Sequence, residues 1–119
     1  MKKQKEMPIF VKWFEFLKWL FPITAKFPQR SRFTFANRID NIALDVMENI
    51  IEARYTKNRN DILKEANLRI EKMRILMRLC KELGLLSFNS YEFANKSINE
   101  VGKMIGGWIK SGHVNYETI

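Results

Sequence analysis

The chain has 119 residues, 46% hydrophobic and 29% charged, a size and balance that predict one folded domain and exclude a disordered chain. Lysine and arginine number 21 against 13 acids, a formal net charge of +8, which points to an anionic partner: nucleic acid, an acidic protein or a membrane surface. The single cysteine, Cys80, excludes an internal disulfide framework and a cysteine-based zinc site, and a reducing, cytoplasmic setting is expected.

The opening MKKQKEMPIFVKWFEFLKWLFPI has the basic start of a signal peptide. Lys12, Glu15 and Lys18 interrupt its apolar run, however, and no small-residue cleavage site follows. The same charges exclude a membrane span. Residues 1–7 read as a disordered basic N-terminus, and the folded domain as residues 8–110. The first helix is predicted from Pro8, suited to a first-turn position, to Lys26. Phe10, Trp13, Phe14, Leu17, Leu20 and Phe21 form one stripe at helical spacing, and Pro22 is expected to kink it. Phe16, Trp19 and Ile23 fall outside the stripe, so this helix is apolar on more than one side.

FPQRSRF (27–33) follows. Pro28 stops the first helix and Ser31 is the predicted N-cap of the second. Arg30 and Arg32 stand between two phenylalanines, with Lys26 before them, Arg38 after, and no acid until Asp40. A solvated turn is one reading of this stretch, and a contact zone for an anionic partner is the other. The second helix runs to Tyr55 with Phe35, Ile39, Ile42, Val46, Ile50 and Ala53 as its core face. The third begins at Asn60, with Asp61 near the positive end of the helix dipole, and its seam is Ile62, Ala66, Ile70, Met73, Met77 and Cys80. Gly84 is its predicted C-cap, with Leu85 or Leu86 folding back. The fourth follows Ser87 or Ser90 and reaches Lys110, with Tyr91, Ala94, Ile98, Val101, Ile105, Trp108 and Ile109 on one face. Gly102 and Gly106, four apart, suggest a close helix approach, and residues 111–119 read as a flexible tail.

Four helices of similar length joined by short connections predict an all-α fold, an up-down-up-down four-helix bundle. Leu44 and Ile51 on the second helix, and Leu68, Ile75 and Leu79 on the third, form second apolar seams off the main stripes. Apolar residues around more than half of the third helix, in so small a protein, predict subunit interfaces, hence a homo-oligomer.

Catalytic chemistry has little to stand on. The single histidine, His113, lies in the tail, so no serine or cysteine nucleophile can be paired with it on ordered structure. There is no Glu-x-x-His motif for a di-iron site and no phosphate-binding glycine loop, so neither an enzyme nor a cofactor is expected. Asp45, Glu48 and Glu52 read as a solvated face or a docking site for basic residues rather than a metal site. The basic residues say more. Between Lys57 and Lys81 there are eight against three acids. Arg74 and Arg78 are four apart and adjacent on the helix surface, with Glu71 and Glu82 placed to pair with them. Their forked guanidinium groups suit phosphate or carboxylate, and Lys81 extends the same strip. Binding of this kind is electrostatic, sequence-tolerant and salt-sensitive, and an exposed Trp19 or Phe33 would add stacking.

NLRIEKMRILMRLCKELGLLS (67–87), YEFA (91–94) and EVGKMIGGWIK (100–110), with FPQRSRF and EARY (52–55), resemble Avd, the accessory variability determinant of diversity-generating retroelements. The resemblance implies a four-helix bundle assembled as a barrel-like pentamer with a basic surface. It further implies association with a reverse transcriptase and its template RNA, or DNA, in error-prone cDNA synthesis and retrohoming. The family's paired arginines match Arg74 and Arg78, which implies contact with the polymerase or nucleic acid; Lys103 stands where arginine is expected at least as often. Related four-helix proteins encoded in intervening sequences of ribosomal RNA genes are the alternative, with a general nucleic-acid-binding or structural role. A small structural or antitoxin-like helical protein is a third reading.

Overall fold

The structure, a computed structural model, describes residues 7–111, in which there are four helices and no strand. The expected N-terminal and C-terminal disorder falls on residues outside that range, apart from Met7 and Ser111, and so does His113. Helix α1 is Pro8–Thr24. Helix α2 spans residues 29–55 as one continuous run: Gln29–Ser31, a π-helical turn Arg32–Ala36, and Asn37–Tyr55. Helices α3 and α4 are Arg59–Glu82 and Phe88–Ser111. Helix α1 packs on α2 and α4, and α3 packs on the same two, so all four surround one core.

Local chemistry sets most of the ends. Met7 is buried, and its carbonyl accepts the Val11 N–H at 3.0 Å, so α1 is anchored one residue before Pro8. The helix runs through Pro22 and stops at Thr24. Ser31 does not cap α2. Its N–H is already bonded to the Pro28 carbonyl at 2.8 Å and its backbone is helical, so the helix begins at Gln29, ahead of it. The end of α3 follows the sequence closely. Gly84 takes a φ of +80°, and the Leu85 N–H reaches the Cys80 carbonyl at 2.8 Å while the Gly84 N–H reaches Lys81 at 3.1 Å. These are the two bonds of a Schellman motif, and Leu86 supplies its apolar contact by turning into the core. Of the two candidate caps, Ser87 starts α4: its hydroxyl accepts the Ser90 N–H at 3.0 Å.

The core of α4 is as expected at Ala94, Ile98, Val101, Ile105 and Trp108, with Tyr91 and Ile109 half-buried at its margin. Helix α1 is rotated from expectation. Ile9 and Phe16 are buried beside Trp13, Leu17 and Leu20, whereas Phe10 and Phe21 are half-buried and Phe14 is exposed. The Trp13 indole N–H explains this, because it donates to the Ala43 carbonyl on α2 at 2.8 Å and so fixes the phase of α1. Leu63 replaces Ile62 in the core of α3, and Ala43 joins that of α2 while Phe35 and Ile42 are half-buried.

One polar network interrupts the α2–α3 seam. Asn49 is 4% exposed, and it accepts from Arg69 Nη1 at 2.8 Å while its own amide donates to Glu65 Oε1 at 3.2 Å. The same Arg69 nitrogen lies 2.9 Å from Glu65, and its Nε lies 3.9 Å from Asp45. Hydrogen bonds from Arg69 and then Asn49 pull the Glu65 carboxyl below its ordinary value of 4.5. Near the turn, Thr24 donates to Asp40 at 2.8 Å, and burial raises the Asp40 carboxyl despite that bond.

Two glycines separate backbone strain from helix propensity. Space is open around both Gly84 and Gly106, but only Gly84 has a positive φ. Gly84→Ala is expected to lose about 1–2 kcal/mol and Gly106→Ala to gain up to about 1 kcal/mol in urea unfolding. Equal shifts would contradict the end assigned to α3. The Glu65 carboxyl has a lower pKa folded than unfolded, so its contribution is present above the unfolded value of 4.5 and is lost as pH falls through the folded one. Relative to Glu65→Gln, the wild type should therefore lose stability on acidification from about pH 6 to about pH 3. Parallel stability curves for the two proteins would rule the network out as the cause.

Candidate anion-binding surfaces

The two arginines singled out on α3 are not equivalent. Arg74 is half-buried in a groove of about 530 Å³ between α3 and α4, lined by Asn67, Ile70, Glu71, Asn99 and Lys103. Its Nε donates to Asn99 Oδ1 at 2.7 Å, and its Nη1 pairs with Glu71. Gly102 makes room for it: a Cβ there would meet the Arg74 guanidinium at 3.3 Å, whereas one on Gly106 would meet nothing. The close approach expected of both glycines therefore occurs at Gly102 alone, and what approaches is a side chain. Arg78 is exposed and, among the described residues, pairs only with Glu82, at 3.2 Å. A pair so open to water is weak and readily exchanged for a stronger anion. Lys81 lies 5.3 Å above the Tyr91 ring, which orients its ammonium by cation–π attraction.

The apolar seams flank this strip. Leu68, Ile75 and Leu79 on α3 all face solvent in the single chain, Ile75 at 61% exposure, as do Leu44 and Ile51 on α2. The sequence marked α1 as apolar on more than one side, and further apolar surface lies there: Val11 and Phe93 are exposed along α1 and α4 beside the Lys12–Glu100 ion pair of 3.3 Å, and Phe14 is exposed with its ring stacked on Phe10 at 5.7 Å. Phe14, expected in the core stripe, is outside it, and Phe93 belonged to no expected stripe.

At the α1–α2 junction the charges are arranged differently. Lys26, Arg30, Arg32 and Arg38 are exposed, and among the described residues none of them has an ion pair. The nearest acid in sequence, Asp40, is engaged by Thr24. Phe33 is 74% exposed among these cations. Trp19, the other aromatic considered for stacking, is occupied instead, tilted against Phe93 at 4.6 Å and stacked on Phe16 at 5.8 Å. The structure thus gathers Arg30, Arg32 and Arg38 at one end and sets Arg74, Arg78 and Lys81 along α3. Sequence reasoning missed Asn99 and Asn49, which hold Arg74 and Arg69, because nothing local marks a polar partner 25 or 20 residues away.

Cys80 is wholly buried, and desolvation pushes its thiol up to about 11, so it behaves as a small hydrophobe at neutral pH. Among the described residues no His, Cys, Asp and Glu cluster is arranged to hold a metal, and no helix is long and apolar enough to cross a membrane.

A search of curated proteins finds no match. The sequence profile of the bAvd-like family, by contrast, matches residues 7–112. That span covers all four helices, the arginine strip and the junction. The chain therefore belongs to the bAvd-like family, the accessory, non-catalytic Avd proteins of diversity-generating retroelements that its motifs resemble.

Proposed function

We propose that the chain is the accessory factor of a diversity-generating retroelement: an up-down-up-down bundle that assembles as a homo-oligomer, a pentamer, and holds a reverse transcriptase and its template RNA through basic surfaces. In that role it supports mutagenic cDNA synthesis and retrohoming without catalysing a step itself. The observation that carries the reading is the family match across residues 7–112. The exposed seams on either side of the arginine strip support it physically. Covering Leu68, Ile75 and Leu79 with another subunit removes apolar area from water at about 25 cal/mol per Å² and brings copies of the strip close together. Repetition turns a local excess of charge into a field able to steer an anionic partner. Arg74 suits a lasting contact, since Asn99 and Glu71 already hold its fork in place and little side-chain freedom remains to be lost. Arg78 suits an exchangeable one.

Co-purification with the neighbouring reverse transcriptase tests the reading. Arg74→Ala/Arg78→Ala is expected to lose the polymerase while light scattering shows the oligomer intact, and Arg78→Ala alone, which touches no buried contact, should weaken capture without altering the melting temperature. Normal polymerase and RNA binding by the double variant would remove these residues from the interface. Ile75→Glu is expected to give folded monomers in light scattering, with an unchanged helical circular dichroism spectrum. An intact oligomer in that variant would place the subunit contact elsewhere.

A further inference from the structure

The basic junction carries more information than its charge. Four cations are exposed there without an ion pair, and a phenylalanine in their midst has three quarters of its surface in water. Exposing so large a ring wins nothing for the fold, and among the described residues no neighbouring ring packs against it. The backbone contributes as well. In an unbroken α-helix Phe33 and Arg38, five apart, would lie about 140° from one another around the axis. Here the Asn37 N–H bonds to the Arg32 carbonyl, so the turn between them takes one residue more to close and most of that angular gap disappears. Ala36 and Ile39 point into the core, and Phe33 and Arg38 are both exposed.

We propose that this junction is a binding point for single-stranded nucleic acid, in which one unpaired base stacks on Phe33 and the flanking phosphates lie on Arg30, Arg32, Arg38 and Lys26. The inference rests on the nucleic-acid reading above and adds its site and the form of strand. An aromatic face is of use only to a base released from pairing, because in a duplex every base face is already stacked. Phosphate contact alone would need the cations and no exposed ring. Stacking reads neither base identity nor sugar, so RNA and DNA strands are both expected to bind.

The test is fluorescence anisotropy of the full chain with a labelled oligouridylate, an oligothymidylate of the same length, and a blunt RNA duplex. Phe33→Ala should weaken both single strands about ten-fold and leave the duplex nearly unchanged, with Phe33→Trp restoring the affinity. Arg30→Ala/Arg32→Ala should lower the salt slope for single strands by about 1.4, which is two phosphate contacts at about 0.7 each. Unchanged single-strand binding by Phe33→Ala, or an equal loss on the duplex, overturns the proposal. So does a Phe33→Ala protein whose oligomer falls apart in light scattering, which would make the ring a subunit contact. Polymerase co-purification is read separately. If it is absent in the wild type while the Phe33 effects appear, the accessory reading falls and this site stands; if it persists while the Phe33 effects are missing, the reverse holds.

Discussion

Trp13 has no surface in water, and its indole N–H must find an acceptor inside the core. The acceptor is the Ala43 carbonyl in the middle of α2. Leaving such a donor unpaired costs about 1–3 kcal/mol, so the bond fixes how α1 rotates and slides against α2. Ile9, Phe16, Leu17 and Leu20 turn inward with Trp13, and Phe14 is left outside. Farther along the same seam Thr24 meets Asp40, closing the wedge across which the connection from Ala25 to Pro28 must pass. The inward position of that connection is taken by Phe27, and the first inward position of α2 by Ala36. Lys26 in the connection and Arg30, Arg32 and Arg38 at the start of α2 are on the outside, and the nearest acid in sequence, Asp40, is engaged by Thr24.

Net charge by itself selects no surface; the partners of each arginine do. Arg69 is committed to Asn49, Glu65 and Asp45, and its charge is used to register α2 against α3. Arg74 is oriented by Asn99 and Glu71 but retains an open side toward the α3–α4 groove. Arg78 has only a solvated pair with Glu82. Arg30, Arg32 and Arg38 have no acid at all among the described residues. Along this series the guanidinium passes from structural tie to available ligand. The formal excess of +8 is therefore unevenly spread in effect.

Where one face of a helix is apolar and the other polar, the sequence alone was enough. Helix α4 is such a case, and its ends carry chemical marks that work locally: Gly84 for the left-handed residue before it and Ser87 for its cap. Helix α1 is apolar on more than one side, so period left its phase open, and a bond to a carbonyl 30 residues away decided it. Ser31 had the composition of a cap but sits within the first bonded turn, and a π turn has no residue signature to announce it. The apolar seams and the basic residues were legible as types at positions. So were the pairs of Arg74 with Glu71 and Arg78 with Glu82, and the want of a local acid beside Arg30 and Arg32; the cross-helix holding groups were not, because Asn49 and Asn99 are neutral residues from other helices.

The two basic regions also differ in what would happen to them on assembly. The α3 strip runs beside Leu68, Ile75 and Leu79, so any subunit or protein that covers this seam also withdraws Arg74 and Arg78 from water. Withdrawal strengthens a well-matched charge pair and penalises a mismatched one, which favours a specific and lasting partner. The junction belongs to the α1–α2 connection and is outside that seam. Its charges are solvated in the single chain, so a phosphate contact there would be weak and screened by salt, and a bound strand could be released one nucleotide at a time. A polymer that must move past a fixed protein requires contacts of the second kind, and a polymerase anchored to that protein requires contacts of the first. The placement of Arg74 in a preformed groove and of Phe33 in open water fits that division of labour.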